Sequence, residues 1–176
     1  CRGAGRNRYQ HDKPEIIEGG SGDMTQPERS DAPDYDVIVV GGGPSGATAA
    51  DDLARQGYHV MLLDKAGRIK PCGGAVPPRL MKDFDIPHSL LVAHAHSARI
   101  IAPSNRKVTM PVGDGFVGMV DRDRFDEWLR ERAARSGACR VTGKCEDVAT
   151  DAAGLAVVTL RGDRSSGSKT VTARAV

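Results

Sequence analysis

After a polar leader, the apolar and polar positions predict a strand, a helix and a second strand. Tyr35–Val40 is a short β-branched apolar run closed by glycines, which is typical of a buried strand. Residues 44–56 place Pro in the first turn and small apolar residues at helical spacing, and a glycine follows them. A second apolar run, at 59–63, ends at Asp64. This order within about thirty residues predicts one βαβ unit with a parallel strand pair.

The pattern changes after that unit and predicts antiparallel strands with one more helix. Short apolar runs predict five further strands, at 98–101, 107–110, 116–120, 155–160 and 170–174. The first two flank a Pro-Ser-Asn turn and form a hairpin. Arg122–Arg135 carries apolar residues at helical spacing, and its Arg and Glu run at 130–135 is expected to be a solvated helix face. The predicted class is mixed α/β.

Composition and charge narrow the functional class. The formal net charge is +2 and aromatic residues make up only 4%, which argues against a nucleic-acid partner. The sequence shows no signal peptide pattern and no CxxC pair, so we expect a reduced, cytoplasmic protein in which Cys139 and Cys145 are packing residues. His94 and His96 lack partners at ligand spacing, so no metal site is predicted.

Gly41, Gly43 and Gly46 form a GxGxxG motif between the first strand and the first helix. The first glycine permits the tight turn, the second lets a diphosphate approach, and the third lets the helix lie close to the strand. The helix start then offers free N–H groups to the diphosphate. Asp64 ends the next strand, where a carboxylate accepts hydrogen bonds from the adenosine ribose. The pattern predicts a dinucleotide site for FAD or NAD, because an acid at this position repels the 2′-phosphate of NADP.

The continuation after Asp64 favours FAD, because Pro-rich and Gly-rich loops and a hairpin replace the alternating elements of NAD-dependent dehydrogenases. The predicted fold is therefore α/β, a Rossmann-like FAD-binding domain of the glutathione-reductase or hydroxylase type with inserted antiparallel strands, truncated at the C-terminus. We expect a disordered leader at 1–34, with the native start at Met24, and a partial FAD/NAD(P)-binding domain at 35–176 that lacks its C-terminal part.

Three segments resemble the geranylgeranyl reductase family. Residues 68–87 read RIKPCGGAVPPRLMKDFDIP, and a KPCGG segment after the second strand is the hallmark of that family. This continuation and the APSNR turn at 102–106 are similar to the chlorophyll and bacteriochlorophyll branch rather than to the archaeal lipid-reducing branch. VDRDRFD at 120–126 resembles the family's VxRxxFD element. The resemblance runs from about residue 35 to residue 135.

The resemblance implies roles for single residues. The FAD diphosphate would be held by the turn residues Gly41, Gly43, Pro44, Ser45 and Gly46. Asp64 would bind the adenosine ribose, with Lys65 flanking it. The isoalloxazine and the isoprenoid channel would be lined by Cys72, Gly73, Gly74 and Ala75. Arg122 would approach the ribityl-diphosphate. A second, GADG-type fingerprint is expected beyond the last strand.

The implied activity is flavin-dependent reduction of a geranylgeranyl chain to phytyl in (bacterio)chlorophyll biosynthesis, with NADPH as the donor. The partner would be geranylgeranyl diphosphate or geranylgeranylated (bacterio)chlorophyll, with peripheral contact to the photosynthetic membrane through the C-terminal half. An unactivated alkene needs a proton as well as a hydride, and Cys72 is the candidate donor, because a thiol in an apolar groove stays protonated. The alternative for Cys72 is packing between two loops.

Other functions share part of this pattern. An archaeal-type prenyl-lipid reductase or a flavin monooxygenase would carry the same first fingerprint, although a hydroxylase should lack the KPCGG segment. Outside enzymes, the alternative is an inactive nucleotide-binding fragment. The sequence leaves open whether NADPH or a ferredoxin is the donor, and whether the substrate is the free diphosphate or the pigment ester.

Overall fold

The computed structural model of the chain describes residues 32–65, 72–113, 115–162 and 167–176. Its strands are β1 (Tyr35–Val40), β2 (Val60–Asp64), β3 (Ala75–Val76), β4 (Leu91–Ala95), β5 (Ser97–Ile101), β6 (Lys107–Pro111), β7 (Val117–Val120), β8 (Cys139–Thr150), β9 (Ala156–Gly162) and β10 (Ser168–Ala175). Its helices are α1 (Pro44–Arg55), α2 (Pro78–Asp83) and α3 (Arg122–Arg135), with a 3₁₀ turn at His88–Leu90. The start expected at Met24, most of the expected leader, and Lys70-Pro71 of the KPCGG segment lie outside the described residues.

A parallel sheet carries the dinucleotide motif. β1 and β2 pair in parallel, from Val37 opposite Val60 to Val40 opposite Leu63. β8 adds in parallel to β2, and β10 adds in parallel to β1. β8, β9 and β10 also pair with one another in an antiparallel meander, so that the ladder of strand pairs closes on itself. The glycine turn after β1 and Asp64 at the end of β2 therefore lie together at the carboxyl ends of two parallel strands. Ligands bind at this end of the strands in α/β folds.

The buried strand β2 separates two apolar clusters. Val60 and Leu62 point towards α1 and α3, where they pack with Ala50 and Leu129. Met61 and Leu63 point to the other side, against β9 and β10. This alternation along a strand that is buried on both faces explains why β2 reads as a continuous apolar run. None of the helices in the described ranges is both long and apolar enough to cross a membrane.

The predicted fold class, the parallel βαβ unit, the hairpin of β5 with β6, and α3 are confirmed. The sequence did not predict α2, the two-residue strand β3, β4 or the full length of β8. α2 has only six residues, with one of them buried. β8 alternates exposed and partly buried residues and is held by pairing with β2 and β9 on its two sides. Its stability depends on neighbouring strands rather than on an apolar run.

Candidate functional site

The glycine turn after β1 forms an open cradle at the start of α1. Gly41 has a positive φ of 108°, and its N–H donates to the carbonyl of Leu63 at 2.8 Å. A Cβ at Gly46 would lie 1.9 Å from the carbonyl oxygen of Gly41, so only glycine lets α1 approach the turn this closely. A Cβ at Gly43 would meet no atom of the described residues within 4 Å. The space in front of Gly43, beside the first N–H groups of α1, therefore suits a diphosphate.

Asp64 lies against this turn and faces the same cleft. Its Oδ1 accepts the N–H of Gly42 at 2.9 Å, and its Oδ2 accepts from Nη1 of Arg130 at 3.3 Å. The side chain of Asp64 is 26% exposed. A carboxylate offers about four acceptor positions, so these contacts leave capacity for ribose hydroxyls. The open cleft has a volume of about 540 Å³ and is lined by Gly41, Gly43, Pro44, Ser45, Gly46, Asp64, Arg122, Asp126 and Arg130.

The far wall of the cleft is one stripe of α3. Arg122, Asp126 and Arg130 are spaced four residues apart, which places them on the same helix face. Arg122 donates two hydrogen bonds to the carboxylate of Asp126, at 2.8 and 2.9 Å. The two side chains are only 15% and 5% exposed, and the bond to Asp126 raises the pKa of Arg122. A permanently charged guanidinium therefore faces the diphosphate cradle.

An apolar groove of about 430 Å³ adjoins the cofactor cleft. It is lined by Val76, Leu80, Phe84, Ile86, Val120, Phe125 and Leu129, together with Thr48, Cys72, Gly74 and Ala75. Pro44, Ser45 and Arg122 line both the groove and the cleft. The groove can take an apolar chain, while the wall shared with the cleft carries the polar side chains of Ser45 and Arg122.

Gly74 lines this groove and packs against the backbone of Val120. It has a positive φ of 68°, and its carbonyl accepts the N–H of Val120 at 2.9 Å. A Cβ at Gly74 would lie 2.1 Å from the carbonyl oxygen of Val120, so this position excludes every side chain. Gly73 is exposed, and a Cβ there would meet no described atom within 4 Å. Backbone packing therefore requires glycine at position 74, whereas Gly73 leaves open space.

The thiol of Cys72 lines the groove in surroundings more polar than the sequence suggested. A hydrogen bond from the backbone of Gly74, and then the side chain of Arg122, lower the pKa of Cys72 from 9.0. These two contacts favour the thiolate and so act against the protonated form that apolar surroundings favour. Cys72 is exposed and beside a cation, which makes it a stronger acid than a free cysteine.

The other candidate residues lie apart from this site. Lys65 is exposed after β2 and is not among the residues that line the cleft or the groove. His94 packs edge-on against Phe116, with ring centroids 4.4 Å apart. Cys139 accepts a hydrogen bond from the hydroxyl of Tyr35, and burial followed by this contact raises the pKa of Tyr35 to about 12.

The expectation of a solvated face at 130–135 is wrong at two positions. The side chains of Arg130 and Arg132 are each 13% exposed and face Asp64 and Asp51, respectively. Asp126 and Arg130 are the cleft residues that the sequence reasoning missed. Their spacing of four and eight residues from Arg122 was the available signal, because it predicts a shared helix face.

Comparisons with known proteins show the family to which the chain belongs. Residues 36–176 match the family model described as lycopene cyclase protein. The geranylgeranyl diphosphate reductase of Rhodobacter capsulatus is 60% identical over 124 residues, which are 70% of this chain and 32% of that protein. The chain thus spans about a third of the length of this relative.

Two solved structures share the fold. A geranylgeranyl bacteriochlorophyll reductase-like protein from Thermoplasma acidophilum superposes with a TM-score of 0.67 at 28% identity, over 80% of this chain and 37% of that one. A myxobacterial chondrochloren halogenase, described as a variant of FAD-dependent halogenases, gives a TM-score of 0.65 at 23% identity, over 80% of this chain and 36% of that one. The halogenase supports the fold alone.

Proposed function

Because this chain belongs to the family that the lycopene cyclase protein model describes, we propose that it supplies the FAD-binding site of a flavin-dependent geranylgeranyl reductase. The observation that carries the proposal is the shared wall between the diphosphate cradle and the apolar groove, formed by Pro44, Ser45 and Arg122. A prenyl chain in the groove would lie next to a flavin whose diphosphate occupies the cradle. The strong similarity to a reductase named for geranylgeranyl diphosphate supports the same substrate class.

The described residues fit FAD. The open position at Gly43 and the N–H groups that begin α1 would receive the diphosphate, and Asp64 would accept from the adenosine ribose. Arg122 would add a fixed positive charge at the boundary between cleft and groove. Reduced FAD would supply the hydride for a prenyl double bond.

Cys72 would supply the proton. As a hydride reaches one alkene carbon, the S–H bond of Cys72 breaks and its proton passes to the other carbon. The N–H of Gly74 and the guanidinium of Arg122 favour the thiolate that remains, as the lowered pKa of Cys72 indicates. The apolar lining of the groove would keep water away from the prenyl carbons on which positive charge develops.

The proposal also names an electron donor and the form in which the prenyl substrate is bound. NADPH is proposed as the reductant and the photosynthetic membrane as the site of peripheral contact, both on the family resemblance. Geranylgeranyl diphosphate and the geranylgeranylated pigment both present the same prenyl chain to the groove. Anaerobic flavin bleaching by NADPH, compared with reduced ferredoxin, would distinguish the donors.

The direct test is product formation by the reduced protein. The purified protein, loaded with FAD and reduced without oxygen, is mixed with geranylgeranyl diphosphate or with the pigment ester. We expect the flavin absorbance to return as mass spectrometry detects a product heavier by two hydrogens for each saturated bond.

Other outcomes would indicate other functions. Flavin that reoxidises only when oxygen is admitted, and then yields a hydroxylated product, would indicate a monooxygenase. If the protein saturates an archaeal-type prenyl lipid but reduces neither geranylgeranyl diphosphate nor the pigment ester, it is a prenyl-lipid reductase. A protein that takes up no flavin would be a nucleotide-binding module of another kind.

The variant Cys72→Ala tests the proton donor. Its FAD content should match that of the parent, because the thiol is not among the residues that line the cofactor cleft. Prenyl reduction should fall about 100-fold or more, as expected for the loss of a general acid, while bleaching of the flavin by its donor should keep its rate. Parental turnover in this variant would return Cys72 to a packing role.

A further inference from the structure

Arg130 lines the cofactor cleft and has no role in the function proposed above, yet its guanidinium is held there by several hydrogen bonds. Its Nη1 donates to the carbonyl of Gly42 at 3.0 Å and to Oδ2 of Asp64 at 3.3 Å. Its Nε and Nη2 donate to one oxygen of Glu127, at 3.2 and 3.0 Å. The planar fork of the guanidinium thus joins α3 to the glycine turn and to the end of β2.

A second arginine fixes the opposite side of this contact. Arg140, on β8, donates to both carboxylate oxygens of Glu127, at 2.6 and 2.8 Å. This bond, more than the one from Arg130, lowers the pKa of Glu127, so the carboxylate stays ionised. The chain from Arg140 through Glu127 and Arg130 to Asp64 spans three secondary-structure elements.

The contacts of Arg130 converge on the orientation of Asp64. Oδ1 of Asp64 accepts the N–H of Gly42, and Arg130 bridges Oδ2 to the carbonyl of that same residue. A Cβ at Gly42 would lie 2.8 Å from Asp64 and 2.9 Å from Arg130, so the three groups are in close contact. With both oxygens engaged, the carboxylate has one orientation in the cleft.

We propose that Arg130 is a positioning residue that sets the preference of this site for an adenosine ribose with its 2′-hydroxyl. The inference rests on the proposed FAD site and extends it to a residue outside the glycine motif. Without Arg130, the carboxylate of Asp64 keeps one protein hydrogen bond and can rotate towards solvent. A hydroxyl then gains little over water, because a hydrogen bond contributes only when its partner is already aimed.

Arg130 also places a positive charge near the diphosphate, and the test must separate this effect from positioning. A charge effect weakens FAD and an FAD analogue lacking the adenosine 2′-hydroxyl by the same factor. Loss of positioning weakens FAD more than it weakens the analogue. The ratio of the two dissociation constants therefore reports positioning alone, and a general loss of stability does not change it.

The experiment measures the Kd of FAD and of its 2′-deoxyadenosine analogue by flavin fluorescence, in the parent, in Arg130→Met and in Arg124→Met. Arg124 is exposed on the same helix and serves as the matched control. The parent and Arg124→Met should prefer FAD by about 10-fold, the value of one hydrogen bond to a charged group. In Arg130→Met the preference should fall below about threefold.

A preference of about 10-fold that persists in Arg130→Met would overturn the proposal, as would a parent with no preference at all. If Arg130→Met does not fold, Arg130→Lys replaces it, because one ammonium group cannot keep all of the contacts of the fork. The preference should shrink in that variant as well, and an unchanged ratio would overturn the proposal. A parent that binds neither ligand refutes the proposed FAD site itself, whereas FAD binding with an unchanged ratio refutes only the role of Arg130.

Discussion

Gly43 and Gly46 belong to one motif but are needed for different reasons. A side chain at Gly46 would collide with the backbone of Gly41, whereas a side chain at Gly43 would enter open space. The φ of Gly43 is −71°, which any L-residue can adopt. Gly46 is therefore required by the fold, and Gly43 is free to serve a ligand.

Gly43→Val should keep the fold and lose the cofactor. The valine fills the space proposed for the diphosphate, so FAD affinity should fall at least about 100-fold through lost hydrogen bonds. Flavin content and the melting temperature of the apoprotein check both parts. Gly46→Ala is the contrasting variant and should lower the melting temperature itself. Parental flavin content in Gly43→Val would show that the diphosphate binds elsewhere.

Cys72 should titrate below the pH of an ordinary thiol. Its pKa is lowered from 9.0 by the N–H of Gly74 and by Arg122, so the thiolate forms at lower pH than in a free cysteine. Prenyl reduction, which needs the protonated thiol, should be present below this pKa and lost as the pH rises through it. The rate of alkylation by iodoacetamide, after subtraction of the rate in Cys72→Ala, measures the pKa directly. A half-maximal rate at pH 9.0 or above would contradict the placement of Arg122 beside the thiol.

The glycines that the sequence predicted at the cofactor site have roles that depend on local geometry. Gly41, Gly43 and Gly46 follow from the geometry of one turn, and the turn lies where the pattern placed it. Arg130 could not be assigned in this way, because Gly42 and Asp64, its partners at the cleft, lie far away along the chain. An arginine at a helix surface is usually solvated, and only the packing of α3 against the sheet edge shows otherwise.

At the scale of elements, α1 and α3 are joined by a buried carboxylate. Asp51 on α1 is 1% exposed and accepts from Ser136 at 2.6 Å. It also pairs with Arg132 at 3.0 Å and with Arg55 at 3.2 Å. This contact therefore links the helix that begins at the cradle to the helix that forms the opposite wall of the cleft.

Asp51→Ala should destabilise the protein by about 3 kcal/mol, because it leaves the buried side of Arg132 without its counter-charge. Asp52→Ala changes the neighbouring, exposed carboxylate and should stay within about 0.5 kcal/mol of the parent. Urea unfolding of the two variants and the parent measures the difference. Equal stabilities would mean that the ion pair does not hold the helices together.

The elements that the sequence predicted differ from the others in the source of their stability. α3 begins with the capping carboxylate of Asp121, which accepts the N–H of Asp123 at 3.1 Å, and its apolar spacing is regular. β4 lacks such a signal, since Val92, Ala93 and His94 within it are exposed. It is a strand because it pairs with β7, and that pairing is a property of the assembled sheet.

On the scale of the whole molecule, the cofactor cleft is open and lies between elements that the cofactor would join. Binding to the folded state alone stabilises a protein by about 2.7 kcal/mol at a ligand concentration 100 times the Kd. Added FAD should therefore raise the melting temperature of the apoprotein, and Gly43→Val should abolish this increase. Thermal unfolding followed by circular dichroism, with riboflavin as the control ligand, measures the effect. An equal increase with riboflavin would show that the diphosphate and adenosine contribute nothing.

The pairing of β1 with β10 makes the first described strand depend on the last one. Tyr35 lies opposite Ala173, and the carboxylate of Asp34 accepts both the N–H and the hydroxyl of Thr172, at 2.8 and 3.0 Å. During synthesis, β1 and β2 leave the ribosome well before β10, so one edge of β1 stays unpaired until residues beyond 170 have emerged. Parallel pairing over so long a separation is slow to form, and an unpaired apolar edge attracts other chains. Chains in which β10 has not yet paired with β1 should therefore bind chaperones more than chains in which it has.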